Sequence, residues 1–266
     1  MTLDIAIAAA ERTEAARNLI DQAQADVVDL VTVSALELCV LGGPRHAAFD
    51  ESVSTAWMQL GDRRRKKVID WVTEGMVERG LLIAGGDQPA FQHNGGSYAL
   101  KPELGLMLAA RCRPSSIVVT EAQDQELRTP RFFALGDQAE PVRGVVVEQP
   151  TTLPPDVAEG FRNVRKLGPL GWFYRYVFIS REQAAEILAE LTISPPRRSG
   201  EVVSPAWVVS AYYPGSDNPG GYRLNVQGDG TKACLSGAEA GGLTGAEYDA
   251  EGLRAVMLHL ITGRAQ

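Results

Sequence analysis

At Ser116 the hydrophobic period of the chain changes, and this change limits the fold more than any other feature. Upstream, apolar residues recur every three or four positions, as in Asp62 to Arg79, where Val68, Ile69, Trp71, Val72, Met76 and Val77 stand at helical spacing. Downstream, Ile117 to Thr120, Arg131 to Leu135 and Val142 to Val147 are short runs rich in β-branched and aromatic residues, with Gly136 and Asp137 as a turn. Such spacing predicts an antiparallel meander following a helical part.

The helical part opens with Leu3 to Gln22, where Ile5, Ala8, Ala9, Ala15, Leu19 and Ile20 fall on one face with no Pro or Gly between them. Ser34 followed by Glu37 is a capping-box spacing and predicts a short helix to about Leu41, stopped by Gly42, Gly43 and Pro44. Gly80 ends the Asp62 helix. Leu81 to Ile83 and Tyr98 to Leu100 read as strands, and Pro102 starts a helix to Arg113.

Past the meander, a helix is expected near Asp156 to Val164, then a strand over Trp172 to Ile179 and a helix from Arg181 to Leu191 with Ser180 and Gln183 as its capping box. Ile193 to Pro205 holds three prolines and two arginines and is the linker candidate. Strands follow at about Ala206 to Tyr213, Tyr222 to Val226 and Lys232 to Leu235. Asp249 then caps a helix whose buried stripe is Leu253, Val256, Met257, Leu260 and Ile261.

Helices, strands, helix, linker, strands, helix is the rhythm of an α+β protein with a mostly antiparallel central sheet flanked by helices. The parts are 1–113, helical and winged-helix-like; 114–192, sheet plus helix; 193–205, linker; and 206–266, strands plus a C-terminal helix, either alone or as one domain with 114–192.

Chemistry is sparse. Cys39, Cys112 and Cys234 are far apart with no C-x-x-C pair, and read as small buried hydrophobes; His46, His93 and His259 have no ligand spacing, so no metal site is expected. The Gly-rich pieces at His93 to Gly96, Gly228 to Gly230 and Ala240 to Gly242 lack the phosphate-cradle pattern and read as hairpin turns. No G-x-S-x-G elbow occurs, and the acidic pairs Asp249 with Glu251 and Asp156 with Glu159 sit at helix starts, where the macrodipole explains them. A non-catalytic protein without a cofactor is the expectation.

Two features bear on partners. Arg63 to Lys67 places five adjacent cations at a helix start, the end where the dipole disfavours them. With the following strands they read either as a solvated face or as a winged-helix DNA contact through Arg63, Arg64 and Lys66. A net charge of −7 argues against a surface given over wholly to nucleic acid. Aromatic residues are the other feature: Trp172, Phe173, Tyr174 and Tyr176 are expected mostly in the core. Tyr212 and Tyr213, beside a Pro-Gly turn, and Arg197 and Arg198 in the linker are candidate anchors for a protein partner. Met1 to Ala10 carries Asp4 and no basic n-region, and no stretch is apolar enough to span a membrane, so the expectation is a cytoplasmic protein with no membrane contact.

The segment order resembles that of the EspG family, the cytosolic chaperones of ESX (type VII) secretion. The matching pieces are a helix ending in Arg79-Gly80-Leu81-Leu82, a leucine-rich helix closing on Ala110-Arg111-Cys112-Arg113-Pro114, and Gly168-Pro169-Leu170-Gly171 leading into a strand and the capped helix from Ser180. The C-terminal strands and final helix extend the resemblance over about residues 30 to 262. It implies a central sheet flanked by helical bundles with internal pseudo-symmetry, no cofactor, and recognition of a helical PE–PPE protein pair before export. The N-terminal helix, the Arg63 to Lys67 run and the turn at Asp87 to Gly96 depart from the family pattern. They motivate the alternative, a winged-helix transcription regulator with a C-terminal sensing or dimerisation domain.

Overall fold

A computed structural model describes residues 14–42, 50–85, 91–122, 128–136, 142–152, 168–194, 207–214, 221–228, 230–236 and 246–263. In chain order the elements are α1 (Glu14–Gln22), β1 (Val28–Ser34), α2 (Ala35–Gly42), α3 (Glu51–Met58), α4 (Asp62–Glu78), β2 (Leu82–Ala84), β3 (Phe91–His93), β4 (Gly96–Leu100) and α5 (Pro102–Cys112). There follow β5 (Ser116–Ala122), β6 (Arg131–Leu135), β7 (Gly144–Thr151), a 3-10 turn (Gly168–Gly171), β8 (Phe173–Ile179), α6 (Arg181–Ile193), β9 (Trp207–Tyr212), β10 (Tyr222–Gly228), β11 (Ala233–Ser236), β12 (Glu247–Tyr248) and α7 (Ala250–Thr262). The class is α+β, with a large antiparallel sheet flanked by helices. No described helix is long and apolar enough to cross a membrane.

The chain divides into two units, one comprising residues 1–19, 29–112 and 150–176, the other residues 20–28, 113–149 and 177–266. In the first, Ser34 closes β1 and opens α2. Its hydroxyl accepts from the Glu37 N–H at 3.2 Å, while Glu37 Oε2 accepts from the Ser34 N–H at 2.7 Å, so the two free donors of the helix start are satisfied reciprocally. Every residue from Ala35 to Leu41 is buried, as an apolar helix with no polar face requires. Glu37 is buried with them, and its other oxygen pairs with Arg79 at the end of α4.

Helix α4 ends where the sequence predicts. Gly80 adopts φ +66°, its N–H bonds to Val77 O at 2.9 Å, and the Leu81 N–H bonds to Met76 O at 2.9 Å. These two bonds form a Schellman motif, which only a residue free to adopt left-handed backbone closes without strain. The turn releases the chain into the small sheet β2–β4–β3. Asn94 and Gly95, both at positive φ, make the two-residue turn between β3 and β4.

In the second unit the strands run β7–β6–β5–β9–β10–β11–β12, and the ladders from β5 through β6 and β9 outward are antiparallel. Helices α6 and α7 cover one face. Leu188, Ala185, Leu253, Met257 and Leu260 meet Val118, Phe132, Val145, Val209 and Leu224 in a common core. The predicted capping box of α6 is present, with the Ser180 hydroxyl accepting from the Gln183 N–H at 3.1 Å and the Gln183 side chain accepting from the Ser180 N–H at 3.0 Å. Asp249 caps α7 through the Gly252 N–H at 2.9 Å. Gly228 is required by packing: a Cβ there would lie 2.5 Å from the carbonyl oxygens of Thr192 and Ile193. Ile193 is the last residue of α6, and residues 195–206, which include Arg197 and Arg198, lie outside the described residues, as do the expected N-terminal turns before Glu14 and the helix expected near 156–164.

Removing the Glu37 carboxylate strips the α2 start of its reciprocal cap and leaves the Arg79 charge facing a buried gap. Glu37→Ala is expected to lower unfolding free energy by about 2–4 kcal/mol in urea titration, against about 1 kcal/mol for Ser180→Ala, which removes a cap and no ion pair.

Candidate functional site

The basic run separates once α4 is folded. At 100° per residue, Arg65 falls on the buried side, and its guanidinium reaches back to the carbonyls at and just past the end of α3. It donates to Leu60 O at 2.8 Å, Met58 O at 3.3 Å and Trp57 O at 3.4 Å, and lies 5.6 Å from the Trp57 ring centroid. It is thus a structural C-cap. Arg63, Arg64, Lys66 and Lys67 remain exposed, and one turn beyond them Trp71 keeps 40% of its surface in solvent.

The turn of the β3–β4 hairpin is fastened to the same helix by Asp70, whose Oδ1 accepts from Asn94 Nδ2 at 2.8 Å and lies 2.6 Å from His93 Nε2. The Asn94 amide, seconded by His93 and Lys66, holds the Asp70 carboxyl below the ordinary carboxylate range. Phe91, His93 and Tyr98 share the sheet face turned to this tether, with Phe91 6.2 Å from His93 and 6.3 Å from Tyr98. His93 is therefore a structural fastener.

In the second unit, register defines the face of β5, β9, β10, β11 and β12 opposite α6 and α7. Tyr212 pairs with Ile117, Ser210 with Val119 and Arg223, and Val208 with Glu121 and Asn225; Asn225 pairs with Ser236, and Gln227 with Cys234, which pairs with Glu247. On β5 and β9 this face is covered, with Ile117, Val208 and Ser210 buried; it opens on β10 and β11, where Arg223, Asn225, Gln227, Cys234 and Ser236 are exposed. Tyr212 is 42% exposed at the end of a strand otherwise buried throughout. A hollow of 260 Å³ lies at the polar corner, lined by Gln227, Gly228, Lys232, Ala233, Cys234 and Glu247.

Strand alternation divides the tyrosine pair. Tyr213 turns to the other side, donates to Leu260 O on α7 at 2.8 Å, and stands edge-on to Tyr222 at 6.2 Å; burial raises its phenol well above the usual range. Only Tyr212 belongs to the open face. Arg223 was not singled out from sequence, although the strict alternation Arg223-Leu224-Asn225-Val226-Gln227 carries the signal. The cysteines also differ from expectation: Cys39 is buried, but Cys234 is exposed because β11 turns it to the open face. Among the described residues no group of three or more His, Cys, Asp or Glu could hold a metal ion.

Burial pushes the Cys39 thiol up to about 12 against the opposing charge of Arg111. Iodoacetamide at pH 8 is expected to alkylate Cys234 in the native protein and to reach Cys39 only after unfolding, as peptide mass mapping will show. Asp70 makes a second test. Its depressed value means that the tether is fully formed above the ordinary carboxylate range and is lost as pH falls through the lowered value. Asp70→Asn should speed amide exchange across β3 and β4 at neutral pH, whereas the wild type should show that acceleration only in acid. Compared with protein-family models, curated proteins and solved structures, the chain finds no match.

Proposed function

We propose that this chain is a non-catalytic, cytoplasmic protein-binding adaptor, akin to the secretion chaperones whose segment order it resembles, and that it holds a helical client on the open sheet face of β9 to β11. The observation that carries this reading is the open face itself. An aromatic anchor at Tyr212 lies diagonal to Arg223 on the neighbouring strand, which carries the exposed, uncharged Asn225 and Gln227 in the same row. Tyr and Arg are the side chains that supply most binding energy at interfaces, and amides around them give a polar rim without charges to desolvate. An amphipathic helix set along this edge would bury its apolar stripe against the Tyr212 ring and its polar edge against the side chains of β10.

The test is capture from the source cell, with lysates treated and untreated with nuclease and bound proteins identified by mass spectrometry. A helical protein pair that survives nuclease is the expected result. The Tyr212→Ala/Arg223→Ala variant should retain the circular dichroism of the wild type and lose capture by about tenfold or more. Undiminished capture by that variant would exclude this face as the docking site.

A second reading, a winged-helix DNA-binding regulator, is favoured by one specific observation: Arg63, Arg64 and Lys66 are all exposed on the first turns of α4, and a hairpin fastened by Asp70 follows that helix. Three phosphate contacts would give a salt slope of about −3 in a log–log plot of duplex affinity, and the triple Ala variant would abolish it. Absence of duplex binding at low salt removes this reading.

A further inference from the structure

Helix α4 carries its charges against its own dipole. Arg63, Arg64, Lys66 and Lys67 stand near the positive N-terminal end; Glu74 and Glu78 stand near the negative C-terminal end, and the last turn holds no base. Asp62 offsets the first end only in part, and it pairs with Arg65 at 3.5 Å. Spacing adds to the conflict. Arg63 and Lys67 are like charges four residues apart, and so are Glu74 and Glu78, an arrangement that destabilises an isolated helix.

The exposed face explains the pattern. Arg63, Lys67, Trp71, Glu74 and Glu78 fall within an arc of about 80° at 100° per residue, all five exposed, while Val72, Thr73 and Met76 are buried on the opposite side. The stripe reads base, base, Trp, acid, acid and is symmetric about Trp71 with the charges inverted. Rotated by a two-fold axis through Trp71, it meets its own complement, Arg63 against Glu78 and Lys67 against Glu74, with the two Trp71 rings at the centre.

We infer that the exposed face of α4 is an isologous interface for a second copy of this chain, packed antiparallel across Trp71. The paired positions span about 22 Å of helix axis, and helices packed at about 8–10 Å bring side chains of that length into contact. An isologous contact requires that one patch be complementary to itself, and this stripe, with net charge zero and opposite ends, meets that requirement. Nucleic acid fits the same stripe poorly, because phosphates drawn to Arg63 and Lys67 would run on to Glu74 and Glu78. This surface lies in a different unit from the proposed client face, so the two proposals fail independently.

One helix pair is a small interface, so association is expected on the order of tens of micromolar. Sedimentation equilibrium of nuclease-treated full chain over about 1–500 µM should show the mass rising from 28.6 kDa towards twice that value. The Arg63→Glu/Lys67→Glu variant presents four acids and the Glu74→Lys/Glu78→Lys variant four bases, so each alone should dimerise at least about tenfold more weakly. Mixed in equal amounts, the two should recover a heterodimer at least as tight as the wild type. Both variants place charges in the sense the dipole favours, so folding is not expected to suffer, and circular dichroism checks it. A wild type that stays monomeric throughout, a dimer indifferent to both variants, or a mixture no tighter than its components would each overturn the inference. Tyr212→Ala/Arg223→Ala should leave the dimer unchanged.

Discussion

The Glu37 carboxylate sits where three elements of the first unit meet. One oxygen takes the backbone N–H and the hydroxyl of Ser34, fixing the point at which β1 becomes α2; the other faces Arg79, the C-cap residue of α4. A buried carboxylate persists only where its hydrogen bonds and counter-charge are all present, so its position constrains every group around it. Once Arg79 is held, the end of α4 is fixed, Gly80 turns the chain, and β2 begins at a set distance from Asp70, which receives the hairpin. Position passes from a capping box to the exposed hairpin through four named contacts.

The second unit is organised by alternation. A single residue of slip in β10 would turn Leu224 and Val226 out of the core and bring Arg223 and Asn225 in, so burial on one side alone specifies its register. The same rule generates the open face, since whatever alternates with the core residues must appear there. Tyr212 is exposed as a consequence of where the core residues fall, and Tyr213 is latched to α7 for the same reason. At the outer edge β12 is only two residues long, a length that offers little template for further strand pairing.

Much of this was legible beforehand, because local signals and tertiary contacts agree. Both capping boxes, the Asp249 cap, the Gly80 stop, the Asn94-Gly95 turn and the α7 stripe are set by residues within one or two turns of one another, and a linear reading finds such signals. β1 was missed because Val28 to Ser34 runs directly into the α2 cap, with no Gly, Pro or Asn between strand and helix to mark where it ends. α3 was missed because Glu51 to Met58 is rich in Ser, Thr and Val, poor helix formers whose helix is held by burying Val53 and Trp57. Arg65 could not be separated from its neighbours in sequence, since its role depends on where the carbonyls of α3 end. The open face was hidden for a different reason: it is made of five strands, and only the register says which residues share a row.

The two exposed surfaces depend on different forces, and ionic strength separates them. Contact at the α4 stripe is made by four solvated charges around one aromatic ring, and such attraction fades as the screening length shrinks from about 10 Å at 0.1 M salt to about 3 Å at 1 M. Contact at the sheet face draws on burial of Tyr212 with a single cation at Arg223, a term that salt leaves largely in place and that sulfate reinforces. Added sulfate should therefore dissociate one interface while preserving the other.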